Sequence, residues 1–346
     1  MTTPDTHVLV TGGSGFLASH TILALLDAGY PVRTTIRSPG RESAVRAMLA
    51  DAGADTSRLT FAVADLTEDG GWAAAVADCT YVLHVASPFP ASAPKDENDL
   101  IRPAVDGTLR VLRAAHDAGV RRVVMTSSFA AIGYSPKASG LPYDETDWTA
   151  TEQQPNSYVK SKTLAERAAW DFAATHPGGP ELTVLNPVGI FGPGLGADYA
   201  SSVGLIKALL DGKPPVLARA SFAVVDVRDV AELHVRAMTA AGAAGERFLV
   251  AAGAPVTMPE IAAILRSGLG QDAAAVPTRV APDWAVRLGA RLSPPLATLA
   301  GLLGRPKSIS TAKVTETLGW QPRPIAETIL DTGRSLVASV RPPLPA

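Results

Sequence analysis

Short strand-like runs, mostly apolar, at 8–10, 32–36, 59–63, 81–85, 123–126 and 182–186 alternate with segments of helical character at 17–28, 42–52, 72–76, 100–118 and 157–175. A strand covered on both faces has no polar side to show, so continuous apolar runs separated by helices predict a parallel sheet with helices on both faces. The expected class is therefore α/β, a doubly wound sheet of the Rossmann kind. After about residue 190 the alternation loosens into Pro and Gly clusters with shorter elements. The expected organisation is a sheet domain over 1–190, joined by a later strand and helix from about 221–240. A smaller, mostly helical lobe over 191–346 is interleaved with it.

A chain of 346 residues can bury a large core. A hydrophobic content of 47% with a net charge of -2 describes an ordinary globular protein and argues against a polyanion-binding surface. Neither nucleic acid nor a membrane is expected as a partner, and a monomer or homodimer is. The apolar stretch at 288–304 is interrupted by Arg291 and Pro294-Pro295, which makes it a poor membrane span. Cys79 is the only cysteine, so no intrachain disulfide can form. With no basic-then-apolar leader at the start of the sequence, a reducing, cytoplasmic setting is expected.

The stretch HVLVTGGSGFLASH, His7 to His20, places Thr11-Gly12-Gly13-Ser14-Gly15 between the first strand and the first helix. At that edge of a sheet, free N–H groups and the positive end of the helix dipole attract phosphate. Gly12 permits the tight turn, Gly15 lets the backbone approach a pyrophosphate, and Ala18 allows close packing of helix on strand. The spacing is Gly12-x-x-Gly15-x-x-Ala18 rather than the commoner G-x-G-x-x-G. An isolated match is equally served by a flexible loop; its position between strand and helix favours a dinucleotide. Ser14, Phe16 and Leu17 belong to the same expected cradle.

The end of the second strand selects the dinucleotide. NAD-type folds place an acid there for the ribose 2'-hydroxyl, whereas this chain has Ile36 followed by Arg37, with Ser38 and Arg41 close by. An arginine in that place grips a 2'-phosphate by charge-assisted hydrogen bonds, so NADP(H) is the expected cofactor. Asp65-Leu66, after the third strand, offers a carboxylate to the adenine amino group, on weaker grounds.

The chemistry is expected in NSYVKSK. Tyr158 and Lys162 stand four apart at the start of a helix and share a face. An ammonium near a phenol stabilises the phenolate, and the spacing predicts that Lys162 lowers the pKa of Tyr158. VVMTSSFAAIG, at the end of a long strand, offers the hydroxyl of Ser127 or Ser128 to a substrate oxygen.

TGGSGFLAS, DL, HVASPFP, TSS, YVKSK and LNPVGIFGP together resemble the extended short-chain dehydrogenase/reductase superfamily, with the NAD-dependent epimerase/dehydratase type of fold. Within it the chain most resembles the dihydroflavonol reductase-like branch, which includes cinnamoyl-CoA reductases and yeast and bacterial aldehyde/ketone reductases. The likeness extends to VDVRDVAELHVRAM near 230 and STAKVTETLGWQPRPIAETI near the end. It implies Tyr158 as general acid, Lys162 also holding the nicotinamide ribose, and Ser128 rather than Ser127 as the serine. It further implies Arg37 on the 2'-phosphate, Asp65 on the adenine side, and Val85, Ala86 and Ser87 along the cofactor. Pro187 and Val188 should abut the nicotinamide, with Ser202 on a phosphate or ribose. Hydride transfer would use the pro-S hydrogen.

Departures from the pattern narrow the branch. Plant cinnamoyl-CoA enzymes carry NWYCYGK where this chain has PNSYVKSK, which argues against a thioester. Sugar-nucleotide dehydratases carry Asp-Glu where this chain has serines, and epimerases favour NAD. The expected activity is NADPH-dependent reduction of a small-molecule carbonyl. A sugar-nucleotide epimerase, a sterol-type dehydrogenase and a non-catalytic NADP-binding sensor are the alternatives. Apolar residues near the expected nicotinamide site (Phe89, Pro90, Phe129, Ile132, Tyr199 and Phe222) predict a hydrophobic substrate pocket, unless they are ordinary core.

Overall fold

The apolar runs fold as strands of one sheet. In a computed structural model, residues 6–88, 96–137, 140–152, 154–196, 201–304 and 306–340 are described. The strands in chain order are β1 (His7–Val10), β2 (Val32–Ile36), β3 (Leu59–Val63), β4 (Cys79–His84), β5 (Arg122–Thr126), β6 (Glu181–Pro187), β7 (Gly189–Phe191), β8 (Ser221–Phe222), β9 (Val224–Asp226), β10 (Arg247–Val250) and β11 (Val256–Thr257). Seven of them form a parallel sheet in the order β10-β6-β5-β4-β1-β2-β3. The chain moves outward from β1 to β3, then crosses back to β4 on the other side of β1. That reversal opens a crevice beyond the carboxyl ends of β1 and β4, where ligands of open α/β sheets bind.

The intervening helices are α1 (Phe16–Asp27), α2 (Glu42–Asp51), α3 (Trp72–Val76), α4 (Asn98–Asp117) and α5 (Ser157–Thr175). One face of the sheet packs into a cluster containing Leu9, Trp72, Val82, Val111, Leu112, Val123, Phe172 and Leu182. Burying each such side chain contributes about 1.5–3 kcal/mol. Gly107 on α4 lets that helix reach the turn after β3, since a Cβ there would come 2.9 Å from Leu66 Cβ.

The chain divides into two compact units. The first comprises Met1–Val188, Val230–Val250 and Ser310–Gln321. Of the strand and helix expected to return at about 221–240, the helix lies in the first unit from Val230 onward, whereas the strand does not. The strand that completes the sheet is β10, and β8 and β9 belong to the second unit. β10 is only four residues long, RFLV, and follows the short turn at 241–246, so periodicity gave it little signal.

The second unit comprises Gly189–Asp229, Ala251–Ile309 and Pro322–Ala346. Beside its helices it holds a parallel pair, β7 with β9, and an antiparallel pair, β8 with β11. Thr257 starts the helix Met258–Leu269 through a reciprocal capping box with Glu260. No helix among the described residues is long and apolar enough to cross a membrane.

Candidate active site

The glycine turn is shaped from both sides. Gly12 has φ +77°, the left-handed region that favours glycine, and a Cβ on it would come 2.9 Å from Ala86 Cβ. Gly13 is more tightly constrained than sequence reasoning anticipated: a Cβ would lie 2.3 Å from Thr34 Oγ1. Thr35 reaches across from β2, its hydroxyl accepting from Gly12 N–H at 2.8 Å and its carbonyl from Gly13 N–H at 2.9 Å. Thr11 Oγ1 accepts from Ala86 N–H at 2.9 Å and lies 3.0 Å from His84 Nδ1, so β1 and β4 are pinned together at the crevice. Burial, with the charge of Lys162 nearby, pushes His84 down to about 3, so its ring is neutral.

Helix α1 begins at Gly15 with no side chain capping it, and a Cβ on Gly15 would come 3.2 Å from Gly12 O. The amides of its first turn therefore face a concave backbone surface suited to a pyrophosphate. Ser14 and Phe16 are half-buried around it, while Leu17 and Ala18 are buried beneath. Val85, Ala86 and Ser87 continue from β4 along the same crevice, half-buried.

At the far end of the crevice Arg37 is exposed at the close of β2. Asp65 follows β3, its Oδ1 accepting from Thr67 N–H at 2.9 Å and Thr67 Oγ1 at 2.8 Å. The Thr67 amide does most to hold Asp65 below the usual carboxylate range, against partial burial, with help from the Thr67 hydroxyl and the neighbouring Arg37 charge. Leu66 is fixed by Arg110, which donates to its carbonyl at 2.8 Å. An uncapped glycine turn at one end and, at the other, an arginine where β2 carries no acid of its own fit NADP(H).

Helix α5, which carries Tyr158 and Lys162, starts where Asn156 caps it. Asn156 Oδ1 accepts from Tyr158 N–H at 2.9 Å and Val159 N–H at 3.3 Å, which sets Tyr158 in the first turn. Asn156→Ala is expected to cost about 0.5–2 kcal/mol of stability, read as a lowered urea midpoint with unchanged slope. Beyond β5, Ser128 takes an extended conformation with φ -160° and its Oγ accepts from Ala130 N–H at 3.1 Å. Its proton is then directed to the Tyr158 oxygen, and that hydrogen bond favours the phenolate. Ser127 points elsewhere, into a 2.5 Å bond with Glu166 Oε2. The structure thus brings Ser128, not Ser127, to Tyr158.

One expectation is overturned. Tyr158 has its pKa raised, because burial outweighs the Ser128 hydrogen bond and the phenol of Tyr134 adds to the rise. Lys162 is buried and shifted down to about 8 by burial, opposed by Glu166. The Lys162 charge bears on His84, and Glu166 favours the Lys162 ammonium.

Pro187 and Val188 are buried at the end of β6, Val188 donating its N–H to Val250 O at 3.1 Å. Ser202 donates to the Ile190 carbonyl, which occupies the hydroxyl expected to meet a phosphate or ribose. Phe129 and Ile132 are buried. Phe129 packs edge-on to Tyr143 with centroids 5.8 Å apart, beneath Gly133, where any Cβ would strike the Phe129 ring. Phe222 packs in the second unit's own cluster with Ala218, Ala220 and Val286. Phe89, Pro90 and Tyr199 lie outside the described residues. Sequence reasoning missed Thr35, His84, Tyr134 and Glu166; the last was visible only as another four-residue step beyond Lys162.

The NAD dependent epimerase/dehydratase family matches residues 8–251. The chain is similar to cinnamoyl-CoA reductase CAD2 of Medicago truncatula, with 38% identity over 70% of this chain and 75% of the relative. It is similar to an anthocyanidin reductase ((2S)-flavan-3-ol-forming) of Vitis vinifera, with 35% identity over 74% of this chain and 79% of the relative. Among solved structures it is similar to yeast methylglyoxal/isovaleraldehyde reductase Gre2 complexed with NADPH. The TM-score is 0.80 at 27% identity, covering 96% of this chain and 99% of that one.

Proposed function

Since the chain belongs to the NAD dependent epimerase/dehydratase family, we propose that it is an NADPH-dependent reductase of hydrophobic, aryl or bulky carbonyl compounds, yielding a secondary alcohol from a ketone. The oxidoreductase class and the NADP(H) cofactor follow from its relatives, two plant reductases and a reductase solved with NADPH. The observation that carries the catalytic reading is the Ser128 hydroxyl bonded to Tyr158 in the first turn of a helix that also bears the buried Lys162.

NADPH, when bound, supplies the hydride. The glycine turn and the first amides of α1 hold its pyrophosphate, Arg37 its 2'-phosphate, and Lys162 its nicotinamide ribose. A raised phenol pKa keeps Tyr158 protonated at neutral pH, so it has a proton to give to the far more basic alkoxide oxygen. Ser128, oriented by the Ala130 amide, donates to that same oxygen as charge develops on it.

The preference for neutral, apolar substrates rests on the absence of a Lys or Arg cluster in the segments 87–90, 129–132 and 188–191. A CoA thioester or a nucleotide sugar would lack its counter-charge there. The test is kcat/KM across ketones of increasing apolar size, with a CoA thioester for comparison. Each added CH₂ that is buried should contribute about 0.8 kcal/mol. A flat series, or a preference for the thioester, would show the substrate class to be wrong.

A further inference from the structure

Glu166 lies one helical turn beyond Lys162 and is fully buried. A carboxylate in that position must be compensated by charge and hydrogen bonds. Its Oε2 accepts from Ser127 Oγ at 2.5 Å and Asn186 Nδ2 at 2.6 Å. Its Oε1 lies 2.7 Å from Arg247 Nη2 and accepts from Trp170 Nε1 at 3.4 Å. These partners come from the residue after β5, from β6, from β10 and from α5 itself. Arg247 is fixed in turn: its guanidinium sits 3.8 Å from the Trp148 ring centroid, and its Nη1 donates to Asp147 O at 3.1 Å. Three adjacent strands thus converge on one carboxylate of the helix that carries Tyr158 and Lys162.

A tie between helix and sheet needs no charge next to a catalytic lysine. Lys162 is buried, and burial alone favours the neutral amine. The charged and titratable groups that act with it are the neutral His84 from β4 and Glu166, one turn further along its own helix; Arg247 of β10 stands behind the carboxylate. Among these, Glu166 is the one that stabilises the ammonium.

We propose that Glu166 is a positioning residue of the active site: held by Ser127, Asn186 and Arg247, its carboxylate keeps the buried Lys162 ammonium charged at neutral pH. The proposal rests on the Ser128–Tyr158–Lys162 reading of the site. Lys162 is charged below its folded pKa, and that charge is lost as pH rises through about 8. Removing the carboxylate's charge moves this midpoint downward.

The experiment compares wild type with Glu166→Gln, Glu166→Asp and Ser127→Ala. Three quantities are followed against pH: the ¹³Cε shift of Lys162 in lysine-labelled protein, the NADPH dissociation constant by fluorescence, and kcat/KM for a ketone. Lys162→Met assigns the resonance. In Glu166→Gln the Lys162 midpoint and the alkaline limb of kcat/KM should fall together by about one unit, the low end for a nearby opposite charge because Arg247 shares it. Glu166→Asp keeps the charge and should restore the midpoint. Ser127→Ala removes a donor that spreads the carboxylate's charge and should move the midpoint upward, which keeps the test open should Glu166→Gln fail to fold. A folded Glu166→Gln of reduced melting temperature with an unmoved midpoint, or an unmoved midpoint in Ser127→Ala, would overturn the proposal. If wild type reduces no ketone, the functional reading fails, while the lysine titration still decides the Glu166–Lys162 coupling.

Discussion

Replacing Tyr158 by phenylalanine is expected to leave the fold and NADPH binding intact while lowering kcat by about 10²–10⁴-fold, the scale of general acid catalysis. The substitution deletes one oxygen from a half-buried ring and leaves the Asn156 cap, which bonds the Tyr158 and Val159 amides, in place. Ser128 loses its phenol partner but keeps the Ala130 amide. What disappears is the one acid aligned with Ser128. The raised pKa of Tyr158 suits this role in the direction of reduction, since the group enters each turnover carrying its proton. Near-wild-type turnover by a folded variant would remove Tyr158 from the mechanism.

Arg37→Ala should weaken NADPH binding by about 1.5–3 kcal/mol, the range for a hydrogen bond to a charged group, or about 10- to 150-fold in Kd, and should spare NADH. Arg37 is exposed beside Asp65 at the end of β2, so its contact with a phosphate is open to solvent and the difference should shrink as salt is raised. Both dissociation constants, measured on one preparation, decide the matter. Equal losses for the two cofactors would mean that Arg37 does not meet the 2'-phosphate.

The first six strands of the sheet were legible as short runs between helices, and all but the edge strand β3, where Thr60 and Val63 are exposed, are largely buried, as strands covered on both faces are. β10 was not legible. It follows an excursion of the chain through the second unit, and nothing local in RFLV says which sheet it joins. The glycine turn was readable as a turn, but the demand on Gly13 comes from Thr34 on another strand. Likewise Tyr158 and Lys162 were found by their spacing, yet the direction of the Tyr158 shift was misjudged. Spacing places two side chains on a face; it does not say how much water reaches either or which third group lies nearer. His84 and Glu166 are such third groups, brought to Lys162 by β4 and by the next turn of α5. Phe129 shows the same limit: its sequence position does not say that its ring packs beneath Gly133 and edge-on to Tyr143.

The reaction proposed for this chain is transfer of hydride from NADPH to a carbonyl carbon. NADPH carrying deuterium in the pro-S position at C4, incubated with the protein and an aryl ketone, tests it directly. The expected result is one equivalent of secondary alcohol per NADPH oxidised, with the deuterium on the carbinol carbon. NADPH that stays unoxidised while a nucleotide sugar is interconverted without net cofactor turnover would contradict it.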